Sequence, residues 1–366
     1  MNLIIRYSYQ LLQLPRLVGR FLRQQWQKNL WNKVWLCIAG LFLLFLSAAY
    51  GIARWYIANQ NNKPYTMGTT FIPAYAESLG LQPEQTLDAI LGDLNVKHLR
   101  LVSYWDQMEP NKGTYDFSQL DWQMQKAEEH HAKVSLSIGL RQPRWPECHM
   151  PSWAVDMPKS QWQPQLNQFI GAVIDRYKNS PSLDSYQLEN EYFLSAFGTC
   201  TDFSRNRLVS EYNLVKKHDN KHTVIITRSN NALGLSINDP RPDVLGVSIY
   251  KRVWSPLFHR YLEYPFPAWF YGFMAGTQKI VTGTDMIIHE LQAEAWPPNA
   301  QSIPQTSLAE QSKSFDARRF KDRIAYGKAT GIHTMYLWGS EYWYYRLVVL
   351  HDDSLWNVAK DTYRKQ

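Results

Sequence analysis

Short apolar runs alternate with longer amphipathic stretches over residues 65–350. Eight of the runs are rich in β-branched and aliphatic residues, as buried strands are. They are TMGTTFI (66–72), HLRLVSY (98–104), KVSLSIGL (133–140), SYQLENE (185–191), TVIITR (223–228), VLGVSIY (244–250), MIIHEL (286–291) and HTMYLWG (333–339). Helical patterns lie between them, over 83–93, 117–130, 161–178, 205–219 and 315–330. Strand and helix in this repeated alternation predict an α/β fold, the (β/α)8 TIM barrel of about 250 residues or more.

The same alternation also fits an open, doubly wound sheet. That fold binds nucleotides through a glycine-rich turn after its first strand, and neither a GxGxxG motif nor a P-loop follows residues 66–72. Residues 251–285 are rich in Pro, Trp, Tyr and Phe, so the sixth helix is the weakest part of the pattern. The closed barrel remains the prediction.

Residues 34–53, VWLCIAGLFLLFLSAAYGIA, carry no charge. As a helix rising about 1.5 Å per residue, this run matches the hydrocarbon core of a bilayer, which is about 30 Å thick. It lacks the polar stripe of a surface helix. The sequence therefore predicts a single transmembrane helix over 34–56, a polar linker over 57–64 and one domain over 65–366. A cleaved signal peptide is the alternative because small residues lie at 47–49, but the preceding basic segment is longer than a signal peptide normally carries.

The net charge of +7 is concentrated before the apolar run. Residues 1–33 hold six of the 39 Lys and Arg residues and no Asp or Glu. By the positive-inside rule this arm is cytoplasmic, and the domain lies outside the membrane, in the periplasm or the extracellular space. The arm also fits an amphipathic helix on the inner leaflet. The rest of the chain is nearly neutral, which argues against a nucleic-acid partner, since such a partner needs clustered cations.

Two of the three cysteines lie on predicted loops at the same end of the barrel. Cys148 follows the third strand and Cys200 the fourth, whereas Cys37 is inside the apolar run. In an oxidising compartment Cys148 and Cys200 can pair, and two free thiols are the alternative. Neither has the spacing of a metal ligand, so no metal site is expected.

Acidic residues close two of the predicted strands. Glu191 ends the fourth strand and Glu290 the seventh, and in a barrel of this kind the chemistry lies at the C-terminal strand ends. Two carboxyl groups across a cleft are what glycosidic cleavage requires. A single glutamate at a strand end is more often a solvated charge, so the pairing carries the interpretation. A zinc HExxH helix is excluded because Ala293 follows His289 by four positions, and no GxSxG motif is present.

Four segments resemble the clan A glycoside hydrolases, a group of retaining (β/α)8 enzymes that includes the cellulase-like family five and the β-galactosidase-like families thirty-five and forty-two. The segments are LRLVSYWDQMEPNKGTYDFSQLD (99–121), SYQLENEY (185–192), VSIY (247–250) and IIHELQAEAW (287–296). The resemblance implies that Glu191, which follows Asn190 as in the clan's Asn-Glu pair, is the general acid and base. It implies that Glu290 is the nucleophile and that no cofactor is used. The nearby Glu189 and Glu294 remain alternatives for these roles.

The resemblance also implies supporting residues. Asn190 is expected to bind the sugar 2-hydroxyl, Tyr250 to hold Glu290 in its ionised form, and Arg100 to add positive charge nearby.

Aromatic residues make up 14% of the chain and concentrate at the predicted strand ends. The apolar faces of sugar rings stack on such side chains. Trp338 ends the eighth strand, where the clan commonly places a sugar platform. Arg141 and Trp145, after the third strand, are further expected substrate contacts.

The sequence therefore predicts a membrane-anchored retaining β-glycoside hydrolase that cleaves an oligosaccharide or polysaccharide at the cell envelope by double displacement. The alternative is an inactive carbohydrate-binding barrel that acts in envelope assembly or as a scaffold, because a fold does not guarantee a function. The presence of both Glu191 and Glu290 favours the enzyme.

Overall fold

Eight parallel strands form a closed barrel in a computed structural model that describes residue 15 and residues 17–364. The barrel order is β1-β10-β9-β6-β5-β4-β3-β2, with each strand parallel to both neighbours. The strands are β1 (Thr66–Thr70), β2 (His98–Val102), β3 (Lys133–Ile138), β4 (Leu183–Leu188), β5 (Thr223–Ser229), β6 (Val244–Ile249), β9 (Asp285–Gln292) and β10 (Thr334–Trp338), with an antiparallel hairpin of β7 (Arg252–Ser255) and β8 (Arg260–Glu263). Each predicted run overlaps one barrel strand, so the predicted fold is confirmed.

Helices connect the strands and surround the barrel. They are α1 (Leu30–Gln60), α2 (Pro73–Ser78), α3 (Pro83–Asp88), α4 (Trp105–Met108), α5 (Ser118–Glu129), α6 (Lys159–Tyr177), α7 (Arg205–His218), α8 (Ala268–Thr282), α9 (Leu308–Ser314), α10 (Ala317–Ala329), α11 (Ser340–Val348) and α12 (Ser354–Tyr363). A π-helical turn, Ala89–Asp93, extends α3, and 3-10 turns lie at Pro298–Ala300 and Ile303–Gln305. The aromatic-rich region 251–285 forms the hairpin and then α8, the helix that the sequence left least certain.

The end of β9 contains a bulge that shapes the barrel mouth. Val247 pairs with Ile288 and Ser248 with Glu290, which leaves His289 as an extra residue on β9. Bulges change the direction of the side chains beside them and are common next to active sites. His289 is fully buried, and its Nε2 lies 3.1 Å from Ser135 Oγ.

Helix α1 is longer than the predicted membrane segment. Its first turn is capped by Asn29, whose side chain accepts a hydrogen bond from the Asn32 backbone amide at 2.9 Å. Residues 57–60, expected to belong to a polar linker, are helical. This boundary is wrong because Ile57 packs against the barrel, where a Cβ on Gly331 would lie 2.8 Å from its Cγ1. The buried Tyr56 and the half-buried Ile57 therefore lie in a helix that continues past the apolar run.

Among the described residues, α1 is the one helix that is long and apolar enough to cross a membrane. Residues 17–28 form a separate helical segment before Asn29. The rest of the predicted cytoplasmic arm, residues 1–14 and 16, lies outside the described residues, and so does that part of its predicted amphipathic pattern.

A disulfide joins Cys148 to Cys200, with 5.2 Å between their Cα atoms. It links the loop after β3 to the loop after β4, at the mouth of the barrel. The open choice between a disulfide and two thiols is thus resolved in favour of the disulfide, while Cys37 is a free, exposed thiol on α1.

Candidate active site

A cavity of about 600 Å³ opens at the C-terminal ends of the barrel strands. Glu191 and Glu290 both line it, although 98 residues separate them in the chain. Among the other lining residues are Asn190, Tyr250, Trp338 and Trp145. Closure of the barrel therefore brings most of the predicted site residues to one cavity. No group of three or more His, Cys, Asp or Glu side chains within residues 17–364 is placed to hold a metal ion.

Both carboxylate oxygens of Glu290 have fixed hydrogen-bond donors. Oε1 accepts from Arg100 Nη2 at 2.8 Å, and Oε2 accepts from the Tyr250 hydroxyl at 2.7 Å. Arg100 is fully buried and also donates to the backbone oxygen of His289 at 3.0 Å. A buried carboxylate with a paired cation and a second donor is held in one orientation. Tyr250 and Arg100 therefore both contact the carboxylate of Glu290.

Glu191 has a different environment. It follows β4 with a left-handed φ of 42°, and its backbone amide donates to Thr227 Oγ1 at 2.8 Å. Its Oε1 is buried and has no hydrogen-bond partner among the described residues. Burial, followed by the negative charges of Glu290 and Glu147, raises the pKa of Glu191 from 4.5 to about 8. The shift favours the protonated form of Glu191 at neutral pH, against hydrogen bonds from Ser248 and Ser229 that lower its pKa.

Asn190 connects the surroundings of the two acids. Its Oδ1 accepts from Arg100 Nη2 at 3.2 Å and from Gln187 Nε2 at 2.9 Å. Its Nδ2 donates to Glu147 Oε2 at 3.0 Å. These bonds fix the amide at the cavity wall.

Glu147 is a third acidic residue of the cavity, and the sequence reasoning missed it. Burial raises its pKa from 4.5 to about 7, against the opposing charge of Arg141. Its carboxylate lies 3.5 Å from Arg141 Nη2. Gly198 allows the close approach of the two loops, because a Cβ there would lie 2.7 Å from the Glu147 Cβ. The neighbouring Cys148 was the available signal, since its disulfide ties this loop to the end of β4.

Arg141 does not lie where the sequence placed it. We expected a substrate contact, but its side chain is fully buried and does not line the cavity. Its Nε donates to the backbone oxygen of Asn190 at 2.7 Å, and its Nη1 donates to that of Phe197 at 2.8 Å. Arg141 therefore holds the loop after β4. Trp145, in contrast, is 63% exposed at the cavity rim and meets Phe197 edge to face at 5.9 Å.

Trp338 belongs to a polar and aromatic network on one wall of the cavity. Its Nε1 donates to Glu294 Oε1 at 2.8 Å, and the Tyr75 hydroxyl donates to Glu294 Oε2 at 2.9 Å. Arg144 Nη2 lies 3.2 Å from the same Oε2, and its guanidinium stacks 3.3 Å from the centre of the Tyr75 ring. Glu294, one of the alternatives, thus lines the cavity with both carboxylate oxygens already occupied.

Glu189, the other alternative, lies outside the cavity. It is fully buried and accepts hydrogen bonds from the backbone amides of Leu140 and Arg141, at 2.7 Å and 3.0 Å. Arg207 Nη1 donates to it at 2.9 Å. These contacts anchor the loop after β3 and leave Glu189 no access to a substrate.

The hairpin after β6 forms another wall that the sequence did not resolve. Val253 and Trp254 of β7 line the cavity together with Tyr264. The Tyr264 hydroxyl donates to Asn231 Oδ1, which joins the hairpin to the loop after β5.

Comparison with known proteins identifies related sequences and folds. The model of glycoside hydrolase family 42, described as beta-galactosidase, matches residues 89–159, a segment that includes β2 and β3. No curated protein matches the sequence significantly.

Solved structures give fold-level matches. An exo-β-1,4-mannosidase from Opitutaceae bacterium strain TAV5 has a TM-score of 0.50 and 16% identity, covering 75% of this chain and 51% of the mannosidase. An endo-β-1,4-xylanase of family 10 from Gloeophyllum trabeum has a TM-score of 0.50 and 13% identity, covering 75% of this chain and 84% of the xylanase. A β-galactosidase from the Antarctic haloarchaeon Halorubrum lacusprofundi has a TM-score of 0.49 and 14% identity, with 74% of this chain and 52% of that enzyme covered.

This chain therefore spans about half the length of the mannosidase and of the β-galactosidase. The family-model match and the closed parallel barrel agree with each other. Together they confirm the resemblance found in the sequence: the chain has the (β/α)8 architecture of the clan A glycoside hydrolases.

Proposed function

We propose that this protein is a membrane-anchored, retaining β-glycoside hydrolase that works by double displacement. The observation that carries the proposal is that two carboxyl groups in one cavity have different hydrogen-bond partners and different electrostatic surroundings. Glu290 has both oxygens held by Arg100 and Tyr250, whereas Glu191 keeps a free, buried Oε1 and a raised pKa. A glutamate with fixed donors to both oxygens, in one cavity with a second glutamate of raised pKa, is typical of a nucleophile and a general acid.

In the first step, Glu290 attacks the anomeric carbon while the bond from that carbon to the leaving oxygen breaks. Glu191 gives its proton to the leaving oxygen, and a covalent glycosyl-enzyme forms. In the second step, water attacks the same carbon and releases Glu290, while Glu191 accepts the proton of the water. Two inversions leave the configuration of the sugar unchanged.

The charges support this change of role. The ester on Glu290 carries no charge, so its formation removes one of the causes that raise the pKa of Glu191. The pKa of Glu191 then falls, as its second task, that of a base, requires. Asn190, fixed beside both acids, is suited to bind the 2-hydroxyl of the sugar.

Helix α1 supplies the proposed membrane anchor, with the basic arm in the cytoplasm and the barrel outside. The disulfide between Cys148 and Cys200 supports an oxidising, extracytoplasmic location for the barrel.

Hydrolysis of a panel of aryl β-glycosides, followed by proton NMR, tests the proposal. We expect the wild-type protein to release the β-anomer first and Glu290→Gln to lose the activity. An α-anomer as first product contradicts the retaining mechanism. Oligosaccharide binding without any cleavage across the panel contradicts the enzymatic function and supports a binding barrel.

A further inference from the structure

Helix α8 lacks the polar outer face of an ordinary barrel helix. Its sequence, AWFYGFMAGTQKIVT, has Lys279 as the only charged residue, whereas α10, ARRFKDRIAYGKA, has six. Ile280 and Val281 near its C-terminal end are 58% and 57% exposed. A helix that is apolar on all sides is normally covered by protein or by lipid.

Helix α1 covers one side of α8 through close contacts. A Cβ on Gly276 would lie 2.9 Å from Ile52 Cγ2, and a Cβ on Gly272 would lie 3.2 Å from Ile57 Cδ1. Two aromatic contacts continue the interface, between Phe45 and Phe273 at 6.2 Å and between Tyr50 and Trp269 at 5.6 Å. Ala49 and Ala53, between these contacts, are buried. Gly272 and Gly276 thus allow α1 to pack closely against α8. This packing makes α1 part of the folded protein and argues against its cleavage as a signal peptide.

The position of this contact along α1 places it at membrane depth. The apolar run ends at Ala53, and the exposed Arg54 and Trp55 mark its outer boundary. Phe45 precedes Arg54 by about 14 Å of helix, at roughly 1.5 Å per residue. Half of a hydrocarbon core is about 15 Å. The part of the run before Phe45, residues 34–44, covers only about 16 Å, so it is too short to span the core alone.

Three apolar side chains of α8 share one helical face, and Ile280 is exposed on it. Trp269, Phe273 and Ile280 are separated by four and seven residues, which places them on a single helical face. Lys279 next to this face pairs with Asp285 at 3.0 Å and sets a polar boundary at the C-terminal end of the helix. An apolar face bounded by charge is typical of a helix lying in a membrane interface.

We propose that α8 lies in the outer leaflet of the phospholipid bilayer beside α1, so that two helices seat the barrel directly on the membrane. The exposed side chain of Ile280, beside the half-buried Trp269 and Phe273 that pack on α1, contacts the lipid. The inference rests on the proposed insertion of α1 and is independent of the glycosidase chemistry. In this arrangement the barrel is packed against the membrane and is not joined to it by a flexible linker. The distance and the tilt of the cleft relative to the membrane are therefore fixed.

Spin labels on the full-length protein in phosphatidylcholine vesicles test this seat. Cys37→Ser removes the free thiol and leaves the disulfide. In that background we label Ile280→Cys, Val155→Cys and Leu44→Cys, one protein at a time. Val155 is the matched control because it is 60% exposed, against 58% for Ile280, and lies far from α1 in sequence. The collision rate of the label with oxygen, which dissolves in the bilayer, reports contact with lipid. The collision rate with a water-soluble nickel chelate reports contact with water.

We expect the labels at 280 and 44 to favour oxygen over the nickel chelate by several-fold, and the label at 155 to show the reverse. If position 44 lies in lipid while 280 behaves like 155, the seat is wrong although α1 is inserted. If 44 is also in water, membrane insertion itself fails. If 280 is shielded from both reagents, a protein partner covers α8 and the lipid assignment is wrong. Aryl glycoside hydrolysis by each labelled protein separates these results from the catalytic proposal.

Discussion

The barrel mouth and the side formed by α1 and α8 differ in their content of charged side chains. The mouth buries several charged side chains and gives fixed partners to some of them, as with Arg100 and Glu290. The α8 side has almost no charge and uses glycine and aromatic contacts instead. Buried charge costs free energy unless it is paired and hydrogen-bonded, so its presence at the mouth indicates a function that needs it. Its absence from α8 indicates an apolar surrounding. Substitutions on each side test this contrast.

The largest effect is expected at the mouth, from Tyr250→Phe. This change deletes the hydroxyl that donates to Glu290 Oε2 and keeps the ring. We expect kcat/KM for an aryl β-glycoside to fall about 10²–10³-fold, or about 3–4 kcal/mol in the activation free energy. Tyr65→Phe, outside the cavity, is the matched control. Equal activity of both variants would show that the Glu290 orientation does not depend on Tyr250.

The disulfide at the mouth comes next. Cys148→Ser removes a link across 52 residues of chain, and disulfides of this kind contribute about 2–4 kcal/mol to the free energy of unfolding. Glu147 and Asn190 also lose a constraint on their loops, so we expect kcat to fall along with the melting temperature. Cys37→Ser, the control, should change neither. Equal melting temperatures for Cys148→Ser and the wild-type protein in thermal unfolding, or equal free energies of unfolding in urea, would contradict a stabilising role of the disulfide.

On the opposite side, Gly276→Leu inserts a side chain between α1 and α8, where a Cβ would already lie 2.9 Å from Ile52. Overpacking of a tight contact costs about 1–3 kcal/mol. We expect a lower melting temperature in detergent and an unchanged KM, because the cavity is not touched. Gly51→Leu is the matched control on α1, since a Cβ there meets no atom within 4 Å. Equal melting temperatures for the two variants would refute the docked arrangement.

The mouth also sets a pH dependence, which is small at neutral pH and grows above about pH 8. Burial and neighbouring negative charge raise the pKa of Glu191 to about 8, and the first step needs its protonated form. Activity should therefore be retained at neutral pH and fall roughly tenfold per pH unit above about 8. Stopped assays of kcat/KM between pH 6 and pH 10 measure this, after a control that the protein stays folded. A limb that begins near pH 5 would remove Glu191 from the role of acid.

The sequence predicted the features that depend on repeated local patterns and missed those that depend on the packing of loops. Strand periodicity and closure of the barrel were sufficient to bring Glu191 and Glu290 to one cavity, because both depend on repeated local patterns. Glu147 was not predicted, because its inward position depends on how two loops pack around Gly198 and a disulfide. Arg141 was misplaced because its residue type does not reveal that backbone oxygens occupy its donors.

The linker boundary failed for a similar reason. The polar residues after position 58 suggested an irregular segment, but the contact of Ile57 with Gly272 and Gly331 joins residues far apart in the chain. Such a contact leaves no periodic pattern in the sequence.

Covalent trapping tests the central claim most directly. The protein is incubated with activated 2-deoxy-2-fluoro-β-glycosides, and the labelled peptide is mapped by mass spectrometry. We predict one sugar per molecule, attached to Glu290 and absent from the Glu290→Gln variant. A label on Glu294 or another residue, or turnover of the ordinary glycoside without any trapped intermediate across the series, would contradict the assignment.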